Sequence, residues 1–243
     1  MTKAVNTKKP KSKPKSTARR NPLRWLMWQG FRILCAVFVF AIVLIILIGV
    51  VNPPTTIYMS QESRRLGGVD YEWVSIDEVA PVMARAVVAA EDANFCQHWG
   101  FDLRAIKTAI AAGGARGAST ISQQTVKNVF LWHGRNYTRK AMEALMTPLV
   151  EAVWSKRRIV EVYLNVAEFD EGVFGVEAAS RHYFGIGPEA LSATQAARLA
   201  AILPSPKTRS ASRPSNYIRK RASQIIDGAA TIRADGRSAC FES

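Results

Sequence analysis

The stretch Glu91-Asp92-Ala93-Asn94-Phe95-Cys96-Gln97-His98-Trp99-Gly100-Phe101-Asp102, with Gly117-Ala118-Ser119-Thr120-Ile121-Ser122-Gln123-Gln124 after it, decides how this chain is read. An apolar helical run, Val87-Val88-Ala89-Ala90, leads into the first segment. Glu91 therefore stands at the edge of a hydrophobic wall, where lost hydration raises a carboxyl pKa towards values useful for proton transfer. In the second segment a glycine-containing turn opens a helix whose free N–H groups could hold an anion such as phosphate. Together the two predict proton abstraction beside a phosphate leaving group. A P-loop does not fit, because Ala118 stands where Lys is needed before Ser/Thr and no buried strand precedes the turn.

Outward from these segments the pattern is helical. Ser75-Ile76-Asp77-Glu78 has the form of a capping box, and Val79, Val82, Met83, Ala86, Val87 and Ala90 recur at helical spacing up to Glu91. Asp102 can cap a helix that ends at Gly113-Gly114, and Thr120 with Gln123 can cap one that ends near Phe130. A long helix is predicted from about Thr138 to Val166, with Pro148 forcing a bend or break. Gly175 to Tyr183, Ser192 to Ile202 and Ser215 to Ile232 complete the set. With no repeat and no sustained strand alternation, the domain is expected to be mainly α.

The motifs resemble those of the bacterial peptidoglycan glycosyltransferases, which polymerise lipid-linked disaccharide into glycan strands. That family's first motif, Glu-Asp-x-x-Phe-x-x-His-x-Gly-x-Asp, is matched by Glu91, Asp92, Phe95, His98, Gly100 and Asp102. Its second is matched by Gly117, Ser119, Thr120, Ile121, Gln123, Gln124, Lys127 and Asn128, with Ala118 and Ser122 as departures. Arg139-Lys140 with Glu143, Ser155-Lys156 with Ile159 to Asn165, and Tyr183-Phe184-Gly185 resemble the remaining motifs, while Asp170 stands where relatives often carry Gly. The match runs from about Ser75 to Pro206 and points to the monofunctional biosynthetic type, related to the glycosyltransferase domain of penicillin-binding proteins.

The resemblance implies a lysozyme-like helical domain, in which Glu91 is the general base for the 4-hydroxyl of the acceptor sugar of lipid II. Glu143 is then the second catalytic carboxylate, helping to place a divalent cation, Mg or Mn, or the leaving phosphates. Lys127, Arg139 and Lys140, with the N–H groups at Ser119 and Thr120, are the expected diphosphate partners. Gln123 and Gln124 are read as sugar or phosphate contacts or as plain cap residues, and Asn128 belongs to the same substrate-binding set. Asp92, Phe95, His98, Gly100 and Asp102 are assigned to shaping the Glu91 loop; a His98–Asp102 catalytic pair is the rejected alternative. Arg157, Arg158 and Glu161 are read as a solvated face, and Tyr163 and Asn165 as structural.

Ile33 to Val51 carries no charge, and at about 1.5 Å per residue a helix of this length reaches about 28 Å, close to the hydrocarbon thickness of a bilayer. Of 33 Lys and Arg residues, ten lie at or before Arg32, ahead of the first acid, Glu62; the other 23 face 19 acids, a balance that does not imply nucleic acid. The expected organisation is a basic disordered cytoplasmic tail over 1–32, a transmembrane helix over 33–51, a stalk over 52–71 and the glycosyltransferase domain over 72–243. That places the N-terminus in the cytoplasm, the span in the inner (cytoplasmic) membrane and the enzyme in the periplasm. Membrane contact is also expected from one of two apolar segments, Ala105 to Ala112 or Val129 to Trp132. Of the three cysteines Cys35 lies in the span, and Cys96 and Cys240 are read as two unpaired thiols. The partners are lipid II and the growing lipid-linked glycan strand; cell-wall synthesis or division proteins are left open. A lysozyme-like hydrolase is one rival, but it leaves Lys127, Arg139 and Lys140 unexplained. A non-catalytic membrane-anchored scaffold, the other rival, predicts no ordered polar motifs.

Overall fold

The computed structural model describes residues 22–111, 113, 119–134 and 136–242. Gly114, Gly117, Ala118 and the chain up to Asn21 lie outside the described residues. The chain divides into Met1–Ile42 and a compact unit, Val43–Ser243. Helix α1, Pro22–Val50, has a mean hydropathy of 3.4 over its most apolar window and is long and apolar enough to cross a membrane. It begins at Pro22, where the missing N–H costs nothing, so residues 22–32 are helical rather than part of a disordered tail.

Within the compact unit, residues 52–71 do not form a free stalk. Thr56 caps α2, Ile57–Leu66, whose Tyr58, Met59 and Glu62 are buried, and Asp70–Tyr71 forms strand β1. The core is built from α3 (Pro81–Glu91), α4 (Leu103–Ala111), α5 (Ile121–Phe130), α6 (Tyr137–Val153) and α7 (Lys156–Val166). After strands β2 (Glu168–Asp170) and β3 (Val173–Phe174) come α8 (Gly175–Phe184), α9 (Ala193–Ile202), α10 (Asn216–Ala234) and α11 (Ala239–Glu242). Helices α3, α9 and α10 pack on one another, and α5 packs on α6 and α7. The apolar face predicted for α3 is the buried one: Met83, Val87 and Val88 are wholly enclosed, each contributing about 1.5–3 kcal/mol by burial.

Local chemistry placed most helix starts correctly. Thr120 with Gln123 and Ser192 with Gln195 form complete capping boxes, and Asp102 Oδ1 accepts from the N–H groups of Arg104 and Ala105, both at 2.9 Å. Three expectations are corrected. The Ser75 box opens only a 3-10 turn, Ile76–Glu78, and α3 starts afresh at Pro81. The long helix breaks at Trp154-Ser155 rather than at Pro148, because the Ser155 side chain caps α7 by accepting from Arg158 N–H at 3.1 Å. Pro148 stays inside α6. Three short strands also form a small sheet in the order β1-β3-β2, with β1 parallel and β2 antiparallel to β3. Asp170 ends β2, its carboxylate held by Tyr183 Oη at 2.9 Å and His182 Nε2 at 3.2 Å.

Cys96 and Cys240 form a disulfide, with Cα atoms 5.7 Å apart across a sequence separation of 144, which corrects the reading of two free thiols. Tertiary packing brings the C-terminal helix α11 against the turn at Phe95–Gln97. Of the two apolar segments, α4 presents Leu103 and Ile110 to the exterior, whereas Val129, Phe130 and Leu131 are buried.

Candidate active site

Glu91 is the last residue of α3, and Asp92 leaves the helix in an extended conformation that turns the chain into the site. Asp92 is buried and spends both oxygens on structure: Oδ1 lies 2.8 Å from His98 Nε2, and Oδ2 accepts from Ile121 N–H at 3.1 Å. It thus ties the Glu91 loop to the start of α5. His98 pairs with Asp92 and not with Asp102, whose other oxygen accepts from Asn94 at 2.9 Å. Phe95 is fully buried beneath the Lys156 ammonium, 4.2 Å from the ring centre, and that ammonium also donates to the His98 oxygen at 2.8 Å. Gly100 has φ +81°, and a Cβ there would come within 2.7 Å of Thr147 Cγ2, so no larger residue fits without movement. All five loop residues assigned a shaping role have one.

The start of α5 is less available than the sequence suggested. The Thr120 N–H donates to Gln123 Oε1 at 3.1 Å, the Ile121 N–H to Asp92, and the Gln123 N–H to Thr120 Oγ1 at 3.3 Å. Thr120 Oγ1 also donates to the Gly100 oxygen at 2.6 Å. Thr120 and Gln123 are buried and serve as cap residues, so these N–H groups have protein partners and do not form an anion cradle. Gln124, one residue on, points the other way. Its Nε2 donates to Glu91 Oε2 at 2.9 Å, and its Oε1 accepts from the buried Tyr163 hydroxyl at 3.2 Å. Tyr163 thereby sets the amide so that its N–H faces the carboxylate. Asn165, by contrast, is structural as expected, pairing with both main-chain groups of Val74 at 2.9 Å.

Two hollows meet at Gln124 and Pro204. One, of about 880 Å³, is lined by Glu91 and Ser119, and by Arg209, Tyr217, Lys220, Arg221 and Gln224 from the end of the chain. The other, of about 370 Å³, is lined by Lys127, Asn128, His133 and Tyr163 among others. Burial pushes the Glu91 carboxyl above its ordinary range, while the Gln124 bond and the Arg221 and Lys127 charges oppose the rise. Burial lowers the Lys127 ammonium, with Glu143 opposing and Arg139 and Lys140 reinforcing the shift. Lys127 has no hydrogen bond or ion pair among the described residues, which leaves a desolvated cation facing a hollow. His133 stacks on Tyr58, ring centres 3.4 Å apart, and burial holds its imidazole at about 4, so it is neutral at pH 7.

Glu143 is buried on α6 with both oxygens engaged, Oε2 by Arg139 Nη1 at 2.9 Å and Oε1 by Lys140 Nζ. Lys140 also donates to Ser119 Oγ at 3.3 Å, which connects this ion cluster to the first hollow. Glu143 thus holds two cations in place. Among the described residues no three His, Cys, Asp or Glu side chains stand together as a metal site, so Glu143 does not fit as the centre of a protein-built Mg or Mn site. The cations from α10 and the turn before it were missed by the sequence reading, which saw Ser215 to Ile232 only as a helix. Lys220 and Arg221 are adjacent in sequence there, but nothing local shows that the helix faces Glu91.

The match to a family model described as Transglycosylase covers residues 59–230. The biosynthetic peptidoglycan transglycosylase of Jannaschia sp. (strain CCS1) is 58% identical over 90% of this chain and 90% of its own length. Those of Caulobacter vibrioides and Salmonella arizonae are 43% and 47% identical, covering 91% and 87% of this chain and 97% and 92% of their own. With one family model spanning most of the chain and relatives this similar along nearly their whole length, the chain belongs to the transglycosylase family.

Proposed function

We propose that this peptidoglycan glycosyltransferase, acting in cell-wall synthesis, joins lipid-linked disaccharides at the hollow beside Glu91. The observation that carries the reading is the pairing of a desolvated carboxylate, oriented by Gln124 and Tyr163, with the unpaired, desolvated ammonium of Lys127 in the adjoining hollow. Glu91 takes the proton of the acceptor 4-hydroxyl as that oxygen bonds to C1 of the donor sugar. The C1–O bond to phosphate breaks, and polyprenyl diphosphate leaves with the electron pair. Attack opposite an α-linked leaving group gives a β-1,4 bond in one inversion, with no glycosyl-enzyme required. A hydrolase of the lysozyme kind would leave Lys127 and the Glu143 cluster without a task.

Lys127, Asn128, Arg139, Lys140 and Ser119 hold the donor diphosphate, and Glu143 acts by keeping Arg139 and Lys140 in position. A divalent cation, Mg or Mn, enters this proposal only as a companion of the diphosphate itself. The substrates are lipid II and the growing glycan strand. Helix α1 anchors the enzyme in the inner membrane, with the basic N-terminal residues on the cytoplasmic side and the enzyme in the periplasm. Support for that side comes from the Cys96–Cys240 disulfide, since such bonds persist in oxidising compartments. The exposed apolar side chains of α4 suit contact with the bilayer that holds the substrate. Incubating the detergent-solubilised protein with labelled lipid II tests the reading: polymer is expected, and its absence from a folded, full-length preparation would refute it.

A further inference from the structure

The hollow beside Glu91 has a wall that the diphosphate chemistry above does not use. Arg209, Lys220 and Arg221 line it, the last two on adjacent positions of α10. Arg139 and Lys140 are each paired with Glu143, but none of these three forms an ion pair among the described residues. Arg209 donates to the Ala201 oxygen at 3.1 Å and lies 5.4 Å from the Tyr217 ring centre, and Arg221 donates to the Ala90 oxygen at 3.0 Å. Lys220 is exposed and has no hydrogen-bond partner among the described residues. Three cations on one concave wall without a counter-ion repel one another, an arrangement that is relieved when an anion enters. Tyr217, 62% exposed beside them, offers a ring face of the kind that sugars stack on.

The proposed reaction joins two sugars, and each arrives with negative charge of its own. The Lys127 hollow accounts for only one of them. Resting on the glycosyltransferase reading, we propose that Arg209, Lys220 and Arg221 form a second anion subsite that holds an anionic group of the substrate whose 4-hydroxyl Glu91 deprotonates. Two parts of that substrate have the required chemistry, the carboxylates of the peptide on its sugar and its own diphosphate. Arg221 bonds to the main chain of Ala90, next to Glu91, so occupancy of this wall is also felt where the base is set.

The test compares initial rates for the full-length protein, Lys220→Ala, and the double variant Arg209→Gln with Lys220→Ala, on lipid II bearing its full peptide. A second arm uses a lipid-linked disaccharide that lacks the peptide and has its lactyl carboxyl amidated. Lys220→Ala is expected to raise KM about three- to fivefold and the double variant about tenfold, with kcat changed by less than about twofold. KM of the unsubstituted protein should climb between about 0.05 and 0.3 M salt, and the double variant should flatten that climb. Lys220→Arg should restore KM, and thermal unfolding of every variant should match the unsubstituted protein. A KM effect confined to the peptide-bearing substrate assigns the subsite to carboxylates; an equal effect on both assigns it to the diphosphate. Unchanged KM and salt dependence in the double variant on both substrates would overturn the subsite alone. Absence of polymer from the unsubstituted protein would overturn the glycosyltransferase reading and the subsite with it.

Discussion

The indole N–H of Trp154 donates to the main-chain oxygen of Ile45 at 2.7 Å, joining the break between α6 and α7 to the last turns of α1. Arg158 reinforces the joint, donating to the Ile48 oxygen at 2.9 Å, the Val51 oxygen at 3.1 Å and Asn52 Oδ1 at 2.9 Å. Its side chain is only 13% exposed, so the face formed with Glu161 is not the solvated one expected from sequence. Arg158 satisfies carbonyls that a helix end leaves free. Gly49 permits the approach, since a Cβ there would meet the Trp154 ring at 3.0 Å.

A chain beginning at Asn52 should therefore be less stable than the full protein, and not merely untethered. Trp154→Phe, which keeps the ring and removes the N–H, should cost about 1 kcal/mol. Denaturant titration of the three proteins checks both statements. Below its unfolding temperature the shortened chain should keep turnover in mixed micelles, where detergent already gathers enzyme and substrate, and lose more in liposomes. A micelle rate under about one hundredth of the full-length value, a loss of about 2.7 kcal/mol, would mean that the span contributes to the substrate site.

Glu91→Gln should abolish polymerisation with the fold intact, since an amide of the same volume cannot take the proton. It should also unfold at a higher temperature than the unsubstituted protein at pH 7. Burial raises the folded-state carboxyl pKa, so its contribution favours folding below the unfolded value and is lost as pH rises through the folded one. The gain from the amide should accordingly shrink as pH is lowered towards 4. Tyr163→Phe frees the Gln124 amide, and its rate should fall about three- to tenfold, the worth of one hydrogen bond. Because Gln124 holds the carboxyl down, that variant should move the acid limb of the pH–rate profile upwards. Rate profiles and calorimetry across pH test the set.

Glu143→Gln should destabilise the protein by about 3 kcal/mol, because it leaves Arg139 and Lys140 facing each other without their shared counter-ion. Donor affinity should fall as those cations lose position. Titration of Mg²⁺ or Mn²⁺ against initial rate should give the same half-saturating concentration as in the unsubstituted protein. A shifted metal requirement would instead place the cation on Glu143.

Cys240→Ser, or reduction by a dithiol, should lower stability by about 2–4 kcal/mol, because the bond closes a loop across 144 residues. The loss should be felt at the Glu91 loop, since Phe241 packs near Phe95 and Arg237 donates to the Ala93 oxygen at 3.3 Å. Hydrogen exchange of the segment from Ala93 to Phe101 should accelerate in the variant.

Much of the site was legible because its determinants are local. Glu91 falls at a helix end after an apolar run, Thr120 and Gln123 satisfy each other within one turn, and Asp102 caps the helix that follows it. The apolar stretch after Arg32 declares a span by length alone. All these relationships reach no further than about four residues or depend on composition, and so they survive without knowledge of the packing.

What only the tertiary structure decided is which of these groups are already used and what stands opposite them. Asp92 takes the Ile121 N–H across 29 residues, which removes part of the phosphate cradle that the turn seemed to offer. Glu143 becomes a buried counter-ion only because α6 packs its carboxylate inward beside Arg139 and Lys140. Cys96 meets Cys240, and α10 brings Lys220 and Arg221 to Glu91, through the packing of α10 on α3. The physical reason is the same in each case. Hydration, charge pairing and bond formation depend on distances through space, and sequence neighbours set those distances only within a turn of helix.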